Sequence, residues 1–142
     1  MDPVGLLHQF AFHGLIAALF CLFNGKLSFN DLYSCAVPSL SFMNLFKSYL
    51  FWSSVLFLPI SIIGAFETKY LDLGEGLSFD SDNILVIMFA HVAEEILGLV
   101  LAPFWFLKDL FTDELNFIKI ADYVILVLQI VFIAAGLWNL FR

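Results

Sequence analysis

The sequence predicts an all-α fold, a polytopic helical membrane bundle, and three observations carry that expectation. Hydrophobic residues make up 62% of the 142 residues and charged ones only 13%, with a mean hydropathy of +0.97. Soluble domains run nearer half apolar and a quarter charged, and a small soluble domain could not hide this much Leu, Ile and Phe. Four stretches also reach the ~20 mostly apolar residues that cross a hydrocarbon core. Finally, most of the acids fall outside those stretches, while one adjacent pair, Glu94 and Glu95, lies at the centre of the third. The expectation is one integral membrane domain over residues 1–142, with four transmembrane helices and a short interfacial amphipathic helix.

The first span runs over residues 4–23. Its leading segment, MDPVGLLHQF, has no basic cluster and carries Asp2, so it reads as a retained helix rather than a cleaved signal. His8, Gln9 and His13 shorten its apolar part. The second span covers 45–66, the third 84–106 and the fourth 118–140. Gly, Pro, Asn, Asp and Ser crowd "NGKLSFNDLYSCAVPSLSFMN" and "ETKYLDLGEGLSFDSDN", which is loop chemistry. Ser81, Asp82 and Asn83 are candidate N-caps for the third span. Between the last two spans, Leu107, Leu110, Phe111, Leu115 and Ile118 recur at helical spacing, with Lys108, Asp109, Asp113 and Glu114 between them. That pattern predicts the interfacial helix. Pro103 is expected to weaken the third helix.

With four alternating spans, Lys26, Lys47, Lys108 and Lys119 flank one side, and Lys69 and Arg142 the other. The basic-residue bias then predicts both termini outside. A first segment that failed to cross would put the termini on opposite sides.

The formal charge of −7 lacks the basic footprint that nucleic acid requires. Nor is there a Lys/Arg cluster for anionic lipid. Cys21 and Cys35 match neither a disulfide framework nor a zinc pattern, and Cys21 reads as a small hydrophobe.

Glu94 and Glu95 fall at the centre of the third span, where an acidic residue costs about 2.5–3.5 kcal/mol on insertion scales. Such groups hide in a bundle interior or a wet cavity, and adjacent carboxylates repel, which favours keeping one protonated. Ala90, Glu94, Gly98 and Ala102 form one ridge of mostly small residues, suited to close helix packing. His91 and Glu95 form the next ridge, an i,i+4 pair. His13, beside Gly14 and Ala18 on a small-residue face, and Gln129 of the fourth span are the polar groups expected to converge on the glutamates, with Ser54, Pro59 and Ser61 opposite. These residues support either a polar clamp between helices or a proton or cation site.

"HVAE" reverses the Glu-x-x-His order of bundle di-iron sites and occurs once, so neither metal nor cofactor is expected. No Gly-x-Ser-x-Gly accompanies Ser53 and Ser54, which leaves an enzyme unsupported. The Phe rings read as lipid-facing, with Trp52, Trp105 and Trp138 as interface anchors. The expected partners are membrane lipid and either other membrane subunits or further copies of the chain. The functional expectation is a non-enzymatic integral subunit or accessory protein of a multisubunit complex, docking by the small-residue/Glu face. The alternative is a small homo-oligomeric proton- or cation-handling channel or transporter built on Glu94, Glu95 and His91.

Overall fold

The computed structural model describes residues 3–71 and 82–142, and its regular elements there are all helical. Asp72, Glu75, Asp80 and the candidate cap Ser81 lie outside those residues. Helix α1 spans Pro3–Phe23, α2 Phe29–Ser34, α3 Phe42–Phe66, α4 Ile84–Phe111 and α5 Phe117–Phe141; a π-helical turn, Glu67–Leu71, extends α3. Helices α1, α3, α4 and α5 are each long and apolar enough to cross a membrane. The chain is a multi-pass helical membrane protein.

Local chemistry sets the boundaries. After α1, Gly25 takes φ 67°, and Lys26 N–H bonds back to Cys21 C=O, closing a left-handed cap that glycine adopts without a Cβ clash. Ser28 and Asp31 form a capping box at α2. The Ser28 hydroxyl and amide, 2.7 and 3.1 Å from the Asp31 carboxyl, hold that carboxyl below its usual range. The box therefore forms at neutral pH and opens only as pH falls through that lowered value. Asn83 caps α4 through Leu85 N–H, and Asn116 caps α5 through Lys119 N–H.

Helix α3 is the hub, packed against α1, α4 and α5. Against α1 it runs antiparallel: Val4 faces Gly64, His8 meets Ser61, and Gly14 meets Ser53. A Cβ on Gly14 would stand 2.1 Å from Ser53 Oγ, so only glycine permits this approach. Further along, Ala17, Ala18 and Cys21 of α1 join Phe46 and Leu50 of α3 in a dry core, closed by Phe132, Ile133 and Leu137 of α5. A Cβ on Gly136 would meet the Phe46 ring at 2.4 Å, so α5 too docks through a glycine.

Helix α5 runs parallel to α1. His13 pairs with Gln129 midway, and Phe20 with Phe141 near the far end, where Lys26 also lies over the Phe141 ring. The amino terminus of α1 and the carboxyl terminus of α5 thus lie at opposite ends of the bundle. Strict alternation of four spans predicts the same end. The difference is absorbed by α4, which starts beside Lys69 and finishes where Asp109 meets Tyr123 and Lys119 of α5. Both of its ends lie at the amino-terminal end of the bundle. In between it passes Thr68 at His91 and α1 at Glu95.

The interfacial helix expected over 107–118 is not a separate element. Residues 107–111 complete α4, and 112–116 form a turn in which Asp113 takes φ 53°. The amphipathic spacing there serves a latch instead: Asp109, 7% exposed, accepts from Tyr123 Oη at 3.0 Å and faces Lys119 Nζ at 3.3 Å. Pro103 lies inside α4 without ending it.

Tags fused to the two termini are expected to be reached by antibody from opposite faces of sealed vesicles. Finding both on one face would refute the parallel setting of α1 and α5.

Candidate functional site

The sequence-marked polar residues separate into two networks. The first joins α1, α3 and α5. Tyr49 Oη donates to Phe10 C=O at 2.8 Å, so it accepts from Gln129 Nε2, also at 2.8 Å. That orientation leaves Gln129 Oε1 to accept from His13 Nδ1 at 2.9 Å. The Tyr49 hydrogen and the amide orientation therefore set the direction of this chain, in which every bridging group has its partner. His13 and Gln129, both buried, join α1 to α5 in the arrangement expected of an interhelical clamp.

The second network centres on Glu95. Its Oε1 meets Nδ1 of His8 in α1, and His8 Nε2 lies 2.5 Å from Ser61 Oγ in α3. A serine hydroxyl both donates and accepts. It can donate to a bare imidazole nitrogen or accept from an imidazole N–H, so the contact to Ser61 suits either tautomer of His8. Beside it, Thr68 spends its hydroxyl hydrogen on Gly64 C=O at 3.0 Å and so accepts from His91 Nε2 at 2.9 Å. His91 then presents Nδ1 to Glu94 Oε2 at 3.6 Å.

Two sequence expectations are corrected here. The His91–Glu95 pair does not form, because His8 from another helix takes Glu95, and His91 faces Glu94 at i,i+3 instead. His13 and Gln129 do not bond the glutamates but each other. His8 stands out in the sequence as an interruption of an apolar run, not as the partner of Glu95. A histidine in a span was the available signal, and its partner depends on contacts 87 residues away, taking 95 less 8.

Both sets border a cavity of about 590 Å³. It is walled by the first turns of α1, the end of α3, the π-helical turn, the middle of α4 and the first half of α5. Glu67, Glu94, Glu95 and Asp122 contribute carboxyls; His8 and His91 contribute imidazoles; Gln129 reaches it from the clamp. No Lys or Arg lines it. Gly98 and Ala102 open toward this space, with the Trp105 ring 3.9 Å from where a Gly98 Cβ would stand, while Ala90 is buried. Trp105 therefore borders the cavity as well as being half exposed. Gly14 and Ala18 lie on the face of α1 packed in the bundle. Glu95 Oε2 and Asp122 Oδ1 are buried oxygens with no hydrogen-bond partner among the described residues. Among the described residues, no three His, Cys, Asp or Glu side chains come together to hold a metal ion.

Compared with known proteins, the chain matches no family model, no curated protein and no solved structure.

Gln129→Leu leaves His13 Nδ1 and Tyr49 Oη without their partner and is expected to lower stability by about 1–3 kcal/mol. Leu128→Ala, on an exposed neighbouring position, is the control and should cost clearly less. Unfolding from detergent micelles followed by circular dichroism measures both, and equal losses would remove the clamp.

Proposed function

We propose that this membrane protein binds and passes protons or cations at the polar cavity, with Glu95 and His8 as the central exchanging pair and Glu94 and His91 beside them. One observation carries this reading: among the described residues, the cavity combines four carboxyls and two imidazoles with no lysine or arginine. Intramembrane acids of this kind mark ion and proton pathways. A wall this rich in carboxyls favours a positive occupant. The hydroxyl of Ser61 lets His8 exchange its proton at Glu95 without a break in hydrogen bonding. The face carrying Glu94, Gly98 and Ala102 borders the chain's own cavity, which favours a binding role for it over docking to a partner.

The test is an imposed pH gradient across liposomes holding the full chain, read with an entrapped pH-sensitive dye. Glu95→Gln keeps the hydrogen-bonding shape toward His8 but cannot ionise. It is expected to reduce flux to the leak of empty liposomes. Flux equal to that of the unaltered chain would remove the proton role.

A second reading, membership of a larger membrane assembly or a homo-oligomer, is favoured by the outer surface of α4. Phe89, Val100, Phe104 and Phe111 are each more than 60% exposed there. The chain purified in mild detergent is expected to carry partner subunits or to elute as an oligomer. A bare monomer would count against this reading.

A further inference from the structure

We infer that the cavity's occupant is an organic ammonium ion bearing an apolar or aromatic group, rather than a bare inorganic cation. This rests on the reading of the cavity as a cation site and specifies its ligand.

Size comes first. About 590 Å³ lies within the range of small-molecule pockets, ~300–1,000 Å³. A hard metal ion instead needs several oxygens gathered at about 2.0–2.6 Å. Among the described residues no three acidic, His or Cys side chains gather in that way.

The wall is also divided in character. Leu6, Leu99, Ile125 and Leu126 supply an apolar part, and Trp105 an aromatic one. Trp105 is placed over Gly98, whose missing side chain leaves the space beside the ring open. An ammonium or its attached methyl groups can rest against such a ring by cation–π attraction. An inorganic ion has no use for the apolar part, and its hydration shell would be poorly matched there.

Charge is the third feature. Among the described residues, the carboxyls of Glu95 and Asp122 each keep one buried oxygen without a donor, and no lysine or arginine reaches the lining. Two imidazoles cannot balance four carboxyls, so the wall carries surplus negative charge whenever more than two carboxyls are ionised. A singly charged ligand lowers that surplus while its apolar portion covers the leucines. A neutral molecule of the same shape would cover them but leave the charge.

The experiment is titration of the full chain in detergent micelles with benzyltrimethylammonium, followed by Trp fluorescence and by calorimetry. Neopentylbenzene, its neutral carbon isostere, and sodium and potassium chloride are titrated in parallel. Saturable binding of the ammonium is expected, with the isostere weaker by about tenfold or more, as loss of the attraction between the positive charge and the carboxylates implies. Trp105→Leu should weaken the ammonium by about three- to thirtyfold and leave the isostere nearly unchanged. Asp122→Asn removes one carboxylate charge and should weaken the ammonium by about tenfold. Each variant is first checked for native helicity and elution volume; if Asp122→Asn fails that check, Glu67→Gln at the cavity rim replaces it with the same expected direction. Equal binding of ammonium and isostere overturns the inference, since the pocket would then be merely apolar. Ammonium that fails to bind while Glu95-dependent proton flux persists also overturns it, leaving the proton reading intact. Absence of both flux and binding removes the reading as well as the inference.

Discussion

The contact between His8 and Glu95 determines the architecture of one whole end of this protein. A carboxyl in the middle of an apolar helix is tolerated when protein or water covers it. Here the cover comes from α1, and the reach of one glutamate holds α4 across the amino-terminal end of the bundle. Because α4 is held there, it departs from α3 and comes back to α5 at the same end, and the space it crosses becomes the cavity. Apolar packing dominates the opposite end, where Phe46 and Leu50 are fully buried against α1 and α5.

The two polar networks do different jobs because their hydrogens are counted differently. In the His13–Gln129–Tyr49 chain the hydrogens run one way to the Phe10 carbonyl, so moving a proton would break a bond. Such a network fixes helix positions, and interhelical hydrogen bonds in membranes contribute about 0.6–2 kcal/mol each. In the His8 network, Ser61 can reverse its role, and Glu95 keeps an oxygen without a donor. Specificity of packing belongs to the first network, and the exchange proposed for this protein would use the second.

The helices were legible in the sequence because hydropathy accumulates over many residues, and each apolar run had little choice of conformation in lipid. Their bounds differ by only a few residues from the expected spans, apart from the extra turn that residues 107–111 add to α4. Glu94, Glu95 and His91 were legible as exceptions to that hydropathy. Their partners were not. The i,i+4 rule describes one isolated helix, and a histidine from α1 outcompeted it for Glu95. The direction of α5 was hidden for a similar reason: it follows from Gly136 accepting the Phe46 ring and Gln129 accepting His13, neither of which leaves a periodic trace. The pattern at 107–118 misled because spacing alone does not separate a membrane-surface helix from a turn held by Asp109, Tyr123 and Lys119.

The parallel setting of α1 and α5 also changes the meaning of the charges. Lys26, Lys47 and Arg142 now belong to one end, and Lys69, Lys108 and Lys119 to the other, so basic residues no longer favour an orientation. The acids do the opposite. Among the described residues, Asp31 belongs to the carboxyl-terminal end, while Glu67, Asp82, Glu94, Glu95, Asp109, Asp113, Glu114 and Asp122 lie toward the amino-terminal one. A one-signed cluster raises the local concentration of counter-ions, and low-dielectric walls focus its field. The cavity sits at that acidic end, bounded by apolar helices. On the proposed cation role, ions gathered by the outer acids would meet the inner ones next, in a space where low-dielectric walls strengthen the attraction of each carboxyl. An acidic cavity at the lysine-balanced but acid-poor end would lack that supply, so the position of the cavity and the sign of its wall reinforce each other.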